Sequence, residues 1–362
     1  MRGDTPGTGA PGIEARLDLA RLDRNLARLH GRAAARGVHV RAHVKGHRTA
    51  EIARRQVAAG ATGIAVTQLA QARAYVAAGI DDVVIAHPWP EPWRWELIGM
   101  LARHCRASTH VNSVAAVHGL ADAAERADAV LGVRVQLGTG YDATATPDAE
   151  LLDIARAVTA RPALRLDGVT AYQALLTAEA AKEPAATGRS TAAYAVRTAR
   201  LLRAAGLPCP TVTVGGTPTA GGALSVPGVT EICSGAYALN DLGMVAVGAC
   251  APDDVALTLT VTDPQRCGEA ARLLDAHPYP WQSAPDPYRP ASAVPPHRPL
   301  SPPHICAVTP GLAAMTVYAD EAAEHEGFTG TWQLLNEQDP APGSTSPTGR
   351  SPRESPASPA GG

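Results

Sequence analysis

The sequence of 362 residues predicts an α/β fold: a (β/α)8 barrel of the TIM type followed by a smaller, mostly-β C-terminal domain. Short β-rich runs alternate eight times with longer Ala/Leu/Arg segments of helical spacing. Such alternation calls for parallel strands with right-handed crossovers, and eight units favour a closed barrel over an open doubly wound sheet. The glycine-rich turn of a dinucleotide-binding sheet is absent, because Lys-Gly-His-Arg follows the first strand.

The eight strand segments are short and rich in Val, Ile, Thr and Ala. In chain order they are residues 39–44, 63–66, 82–86, 107–111, 130–137, 166–172, 211–216 and 229–235. A helical segment precedes the first strand, and further helical segments separate the others. Two of these helices end in Ala-Ala-Gly directly before the next strand, which is typical of a helix C-terminus.

The sequence pattern changes after residue 246. Residues 253–263 alternate in the manner of an antiparallel strand, and residues 277–303 are rich in proline. We therefore predict a barrel over 14–246, and a tail over 337–362 that is disordered because it is rich in proline and poor in apolar groups. A β domain is predicted from residues 1–13 together with 247–336, and it contains the proline-rich loop.

Composition excludes several classes of partner. The net charge of -2 arises from 32 basic and 34 acidic residues in a mixed pattern, unlike a nucleic-acid surface or a polybasic membrane patch. No apolar run has membrane-spanning length, and the N-terminal residues lack the apolar segment of a signal peptide. Six scattered cysteines without a Cys-x-x-Cys pair predict free thiols. We expect a cytoplasmic protein with no nucleic-acid or membrane partner.

Polar side chains and glycines stand at the carboxyl ends of the predicted strands, where a barrel carries its active site. Lys45 closes the first strand and Tyr172 ends the sixth. The loops after the seventh and eighth strands commonly bind phosphate in such barrels, and glycine lets their backbone N–H groups approach an anion. The candidate phosphate-binding residues in these loops are Gly215, Gly216, Thr217, Gly235 and Tyr237.

A strand-end lysine and a phosphate site on one rim favour pyridoxal 5'-phosphate as the cofactor. Lysine attaches this cofactor covalently, the phosphate anchors it, and its ring withdraws electrons from a small amino-acid substrate. Partial desolvation would make the Lys45 amine less basic and a better nucleophile. Three histidines without a partner at ligand spacing, His104, His110 and His118, are assigned structural roles.

Several segments resemble the alanine-racemase-type (fold-type III) pyridoxal-phosphate enzymes, specifically the D-threonine aldolase and D-serine dehydratase branch. That branch carries Arg-Pro-His-x-Lys-x-His at the cofactor lysine, and residues 41–47 read Arg-Ala-His-Val-Lys-Gly-His. Residues 167–172, 212–219 and 230–241 also resemble the branch, the last two at its phosphate-binding loops. The resemblance extends over roughly residues 15–246.

The resemblance implies a lyase that acts on a D-configured β-hydroxy-α-amino acid by dehydration or retro-aldol cleavage. Lys45 would hold the cofactor and act as a base at the substrate Cα, with His43 and Tyr172 among the cofactor-binding residues. The segment "PPHICAVTP" resembles a metal-binding segment of the branch, so His304 and Cys306 would bind a divalent metal, Zn or Mn. A homodimer with its active site near the subunit interface is also implied.

Three features depart from the branch. Its Asp-x-Gly-x-x-Arg-x-Gly segment is here "QLGTGYDAT", with Tyr141 at or near the arginine that orients the cofactor. Gln173 stands where a histidine commonly follows the strand-end tyrosine, and the Glu-His-Gly segment ahead of the metal ligands is missing. These departures predict altered chemistry or an altered substrate. The sequence does not identify a partner for the pyridine nitrogen.

Three other functions stay open. A racemase or epimerase needs a second base, for which Tyr279, Tyr288 and Tyr318 are candidates. A biosynthetic variant would run the aldol reaction in the forming direction, as a transaldolase does. A non-enzymatic binding protein of pyridoxal-phosphate homeostasis is typically a barrel without a second domain, so the C-terminal part of this chain argues against it.

Overall fold

The computed structural model describes residues 13–67, 69–138, 146–173, 181–261 and 304–306. Strand β1 (Ile13–Leu17) precedes eight parallel strands that close into a barrel. The barrel strands are β2 His39–His43, β3 Ala61–Val66, β4 Asp82–Ile85, β5 Arg106–Val111, β6 Leu131–Leu137, β7 Leu164–Ala171, β8 Thr211–Gly215 and β9 Glu231–Ser234. Their spatial order is the chain order and β9 pairs with β2, so the predicted (β/α)8 barrel is confirmed.

Helices cover the outside of the barrel. They are α1 Leu19–Ala34, α2 Ala50–Ala58, α3 Leu69–Ala77, α4 Pro92–Leu101, α5 Val114–Arg126, α6 Asp148–Thr159, α7 Pro184–Ala204, and the short α8 Ala220–Ala223 and α9 Leu242–Ala246. Helix α1 shows the common pattern: the Asp18 carboxylate caps it by accepting from the Arg21 amide (2.9 Å), and Leu22, Leu26 and Leu29 bury one face. Within the described residues, no helix combines the length and apolarity needed to cross a bilayer.

A small antiparallel sheet adjoins the barrel. Strand β1 pairs with β10 (Leu257–Val261), which in turn pairs with β11 (His304–Cys306). Strand β10 lies within the segment 253–263 that was predicted to be an antiparallel strand, and β1 extends across the predicted boundary at residue 14. The proline-rich loop 277–303 and the tail 337–362 lie outside the described residues, so the domain division stays a prediction.

The barrel interior contains charged groups instead of the usual aliphatic filling. Arg41, Arg134 and Glu231 each expose only 4% of their surface. Arg41 Nε donates to Glu231 Oε2 (3.0 Å), and Arg134 Nη1 and Thr213 Oγ1 (2.9 Å) donate to the other carboxylate oxygen. A second arm of Arg41 donates to Asp82 Oδ1 (2.7 Å). The network therefore joins β2, β4, β6, β8 and β9 from within.

The two guanidinium groups keep Glu231 ionised. Burial by itself would raise the pKa of this carboxyl, but the charges of Arg134 and Arg41 outweigh burial and lower the pKa to about 2. Buried ion pairs contribute little net stability relative to apolar replacements, yet the loss of one partner leaves an uncompensated charge in the interior. We therefore expect that replacing any one charged residue of the network by a neutral one destabilises the fold.

We expect Glu231→Gln to lower the free energy of unfolding by about 3–5 kcal/mol, because it keeps the shape of the side chain but removes the carboxylate that pairs with the buried Arg134 and leaves Arg41 with Asp82 alone. Urea unfolding followed by circular dichroism measures the change. Glu96→Gln is the control, because Glu96 pairs with Arg126 on the surface and the loss of such a pair costs about 1 kcal/mol or less. Equal losses for both variants would show that the barrel does not depend on its interior pair.

Candidate active site

Lys45 lies in the turn after β2, at the carboxyl end of the barrel, as the sequence predicts. Its Nζ is 6.0 Å from the ring centroid of Tyr172, the residue that follows β7. The side chain is open to solvent at the barrel mouth, but protein surrounds the amine on its other sides, and this burial lowers the pKa of Lys45. A less basic amine is neutral more often near pH 7 and is a better nucleophile.

Two neighbouring histidines of the barrel interior, His43 of β2 and His110 of β5, stay uncharged. His43 Nδ1 accepts a hydrogen bond from the Lys45 amide (3.4 Å), and His110 Nδ1 donates to Gln136 Oε1 (3.3 Å). Burial lowers the pKa of His43 well below its ordinary value, helped by the charge of Lys45. Burial and the charge of Arg134 lower the pKa of His110 to about 3. These two rings therefore add no positive charge to this part of the site.

The glycines of the two predicted phosphate loops lie where a side chain would not fit. A Cβ on Gly215 would lie 2.9 Å from Cδ2 of Tyr172, and a Cβ on Gly235 would lie 2.8 Å from the carbonyl oxygen of His43. Gly216 has a φ of +114°, a conformation that L side chains rarely adopt. The loops after β8 and β9 thus form a backbone-lined cradle next to Tyr172 and the end of β2.

Side-chain and backbone hydrogen bonds join the two loops. The Thr217 hydroxyl lies 2.8 Å from Ser234 Oγ and accepts from the Tyr237 amide (3.1 Å). The Tyr237 side chain points elsewhere, because its buried hydroxyl donates to His30 Nε2 (3.0 Å). Tyr237 therefore contacts the cradle through its backbone amide, whereas its phenol hydroxyl bonds to His30 of α1.

The thiol of Cys233 faces the same interior. Cys233 pairs with Gly215 in the strand register, and its carbonyl accepts from the Gly216 amide (3.0 Å). Burial and the nearby Glu231 carboxylate raise the pKa of this thiol to about 12, so it stays protonated. The cysteines among the described side chains are all free thiols, as predicted: they are Cys105, Cys209, Cys233 and Cys250.

The predicted metal ligands lie in strand β11. Its backbone register pairs His304 with Thr260 and Cys306 with Thr258 of β10. Among the described side chains, no group of three or more His, Cys, Asp or Glu is arranged to hold a metal ion. The side chains of β11 are not among those described, so the metal site stays a prediction.

The departures from the family pattern are partly visible. Gln173 is exposed, and its Oε1 accepts from the Thr191 hydroxyl of α7 (3.2 Å), which ties the end of β7 to the next helix. Tyr141 lies outside the described residues, as do the candidate second bases of a racemase, Tyr279, Tyr288 and Tyr318.

Sequence reasoning missed four interior groups of the site. His110 was assigned a structural role, and Gln136, Cys233 and the Arg41–Glu231 pair were not singled out. A usable signal was present, because these residues stand at every second position of their strands, as in Arg41-x-His43-x-Lys45. A polar period of two within an otherwise apolar strand indicates side chains that face the barrel interior.

Residues 17–232 match the family model of the alanine racemase N-terminal domain. The chain belongs to this family. The match covers more than half of the chain and confirms the family predicted from the cofactor-lysine segment and the two glycine loops. The individual relatives described next are enzymes of D-configured β-hydroxy amino acids, by the names they carry.

Three relatives illustrate this similarity. D-threo-3-hydroxyaspartate dehydratase of Delftia sp. (strain HT23) is 38% identical over 68% of this chain and 66% of its own length. D-threonine aldolase of Arthrobacter sp is 33% identical over 62% and 60% of the two chains. For 3-hydroxy-D-aspartate aldolase of Paracoccus denitrificans (strain Pd 1222), identity is 29% over 43% and 41%. The chain thus spans about two thirds or less of the length of these relatives.

The solved structure of the Delftia dehydratase superposes with a TM-score of 0.61 at 34% identity, over 70% of this chain and 67% of that one. Structures of the same dehydratase include a His-to-Ala variant and a Cys-to-Ala variant described as the metal-free form. The family match over residues 17–232 includes strands β2 to β8, with Lys45 and the loop after β8 at their carboxyl ends.

We expect Gly215→Ala to weaken retention of pyridoxal phosphate by about tenfold, equivalent to roughly 1.4 kcal/mol, because the added Cβ pushes the Tyr172 ring from its place beside Lys45. Equilibrium dialysis with the cofactor measures the affinity. Gly31→Ala is the matched control: Gly31 lies in α1 with nothing near its Cβ position, so alanine should only stabilise the helix. Wild-type retention by Gly215→Ala would show that the cradle does not need this close approach.

Proposed function

We propose that the protein is a pyridoxal-phosphate-dependent lyase that acts on a D-configured β-hydroxy-α-amino acid. The main observation is the Lys45 amine, whose pKa is lowered and which lies 6.0 Å from the Tyr172 ring, on the same rim as the glycine cradle. The three relatives named above are a dehydratase and two aldolases of such amino acids, which supports this substrate class.

The lysine content of the chain supports the assignment of Lys45. The sequence has two lysines among its 32 basic residues, Lys45 and Lys182. Lys45 alone ends a barrel strand, whereas Lys182 is exposed just before α7. Covalent attachment of an aldehyde requires a primary amine that can lose its proton, and a guanidinium cannot replace it.

The residues present fit pyridoxal phosphate. Backbone groups of Gly215, Gly216, Thr217 and Gly235 would hold the phosphate, in a cradle that a Cβ atom would fill, and Lys45 would hold the aldehyde carbon. When bound, pyridoxal phosphate would supply an electron sink that stabilises negative charge developing at the substrate Cα. The nearby Tyr172 ring would restrict movement within the cradle.

Lys45 also provides the proton acceptor. When it is not attached to the cofactor, the Lys45 amine would be able to accept a proton, and its lowered pKa favours the neutral form that does so. In dehydration the proton comes from Cα, whereas in retro-aldol cleavage it comes from the β-hydroxyl as the Cα–Cβ bond breaks. The same residues serve both reactions, and the products distinguish them.

Two further parts of the proposal concern the region beyond the barrel. We infer that His304 and Cys306 bind a divalent metal that polarises the substrate β-hydroxyl. In support, the substituted His and Cys of the dehydratase variants lie two positions apart, as do His304 and Cys306, and one variant is described as metal-free. A homodimer follows from the family resemblance, and the cytoplasmic location stays a prediction from the sequence.

Borohydride reduction in the presence of pyridoxal phosphate should label Lys45 and leave Lys182 unlabelled, which peptide mapping by mass spectrometry can establish. Lys45→Ala should lose the label, the visible absorption of the attached cofactor and all turnover of 3-hydroxy-D-aspartate, D-threonine and D-serine. Lys182→Ala is the control and should keep all three. Cofactor attachment in Lys45→Ala equal to the wild type would contradict the proposed site. Ammonia release identifies dehydration, and release of an aldehyde and glycine identifies aldol cleavage.

A chelator, or either of the variants His304→Ala and Cys306→Ala, should reduce kcat at least about tenfold while the absorption of the attached cofactor stays unchanged, because the metal acts on the hydroxyl and not on the cofactor. Elemental analysis of the purified protein measures the metal directly. Cys105→Ala, at a free thiol before β5, should behave as the wild type. Full activity in metal-free protein would rule out the metal-assisted form of the reaction.

A further inference from the structure

The turn that carries Lys45 contains a residue in an unfavourable backbone conformation. Arg48 has a φ of +51°, in the left-handed region, and its amide donates to the Val44 carbonyl (2.9 Å). The other non-glycine residues with positive φ in the described chain are Asp128 and Asn240, whose short polar side chains are common in this region. Arginine has no such local advantage, so the fold must hold this conformation by other contacts.

The Arg48 side chain supplies one of these contacts. It is buried, with 6% of the residue exposed, and its Nε donates to the carbonyl oxygen of Lys45 (3.3 Å). The amide of Lys45 donates to His43 Nδ1 (3.4 Å). Both backbone polar groups of Lys45 are therefore engaged, and together they set the direction in which its side chain leaves the turn.

His47, the residue before Arg48, is fixed to α2. His47 is 2% exposed; its Nε2 donates to Gln56 Oε1 (3.0 Å), and its Nδ1 accepts from the Thr49 amide (3.2 Å). Burial lowers the pKa of His47 to about 4, so the ring stays neutral and keeps Nδ1 as an acceptor. The turn is thus held from behind by His47, while Arg48 holds the Lys45 carbonyl.

We propose that Arg48 is a positioning residue, whose guanidinium holds the Lys45 carbonyl in the left-handed turn and so directs the Lys45 amine toward Tyr172 and the glycine cradle. The inference rests on the proposed function, because it assigns to Arg48 the placement of the cofactor lysine. Strained backbone of this kind occurs preferentially at functional sites, where the surrounding contacts determine one geometry. The alternative is that Arg48 only stabilises the fold.

Two substitutions separate these roles. Arg48→Gly removes the guanidinium and also the strain, because glycine adopts positive φ freely, whereas Arg48→Ala removes the guanidinium and keeps the strain. If Arg48 positions Lys45, both variants should attach pyridoxal phosphate at least about tenfold more slowly, although Arg48→Gly unfolds at a temperature near that of the wild type. If the role is only structural, Arg48→Gly should attach the cofactor at the wild-type rate, which would overturn the proposal.

Asp128→Gly is the matched control. Asp128 has the same φ of +51° but is exposed, and its amide closes the end of α5 by donating to the Glu125 carbonyl (3.0 Å). Its replacement by glycine relieves the same kind of strain away from Lys45. The variant should gain stability and attach the cofactor at the wild-type rate.

A measurement without cofactor keeps this inference distinguishable from the proposed function. Reductive methylation with ¹³C-formaldehyde labels the two lysines and the N-terminal amine, and NMR then reports each one separately, with Lys182 as the internal reference. In Arg48→Gly the Lys45 signal should shift and titrate at higher pH, nearer the ordinary lysine pKa of about 10.4, because the amine is released toward solvent. An unchanged Lys45 signal would refute the positioning role, whether or not pyridoxal phosphate binds.

Discussion

The carboxylate of Glu231, held between the guanidinium groups of Arg41 and Arg134, is the interaction on which the barrel interior depends. It joins β9 to the neighbouring strand β2 and, across the barrel, to β6, and each of these strands carries a site residue two positions further along. Because side chains alternate along a strand, His43 lies above Arg41, Cys233 above Glu231 and Gln136 above Arg134. The ion pair thus fixes the relative positions of Arg41, Arg134 and Glu231, which form a lower layer of the barrel interior. The three residues above them form an upper layer in the same strand register, and this upper layer is the floor of the site.

The upper layer is nearly free of formal charge, which matters for the chemistry at Lys45. His43 and His110 are neutral because burial lowers the pKa of each ring, and the Cys233 thiol is protonated because burial raises its pKa. A charged imidazole would repel a protonated Lys45 and would compete with it as a proton donor. With neutral neighbours, the amine is the group whose protonation changes most readily, and the interior charges beneath it are compensated within their own layer.

The positions of the barrel strands could be predicted within two residues, and so could Lys45 and the glycine loops, because strand periodicity and the strand-end rule are local properties of the sequence. The interior network is harder to predict: alternating polar residues indicate the inward face of a single strand, but they do not show which of these side chains pair across the barrel. His110 and Gln136 are 26 residues apart, so only the folded barrel reveals their contact. Similarly, the sequence around Arg48 does not indicate that this residue has a left-handed backbone conformation.

The contrast between arginine and lysine connects the barrel interior with its mouth. Arginine stays protonated under all ordinary conditions and binds carboxylates through a planar fork, so it suits the interior, where Arg41 and Arg134 must hold Glu231 without exchanging protons. Under the proposed function, position 45 has the opposite requirement, because an amine that attaches an aldehyde and then accepts a proton must lose its own. Lysine meets this requirement, and partial burial at the barrel mouth lowers its pKa in the needed direction. The chain has only two lysines, so position 45 is not simply a site for any basic residue. The proposed function explains the lysine there, because it needs an amine that can lose its proton.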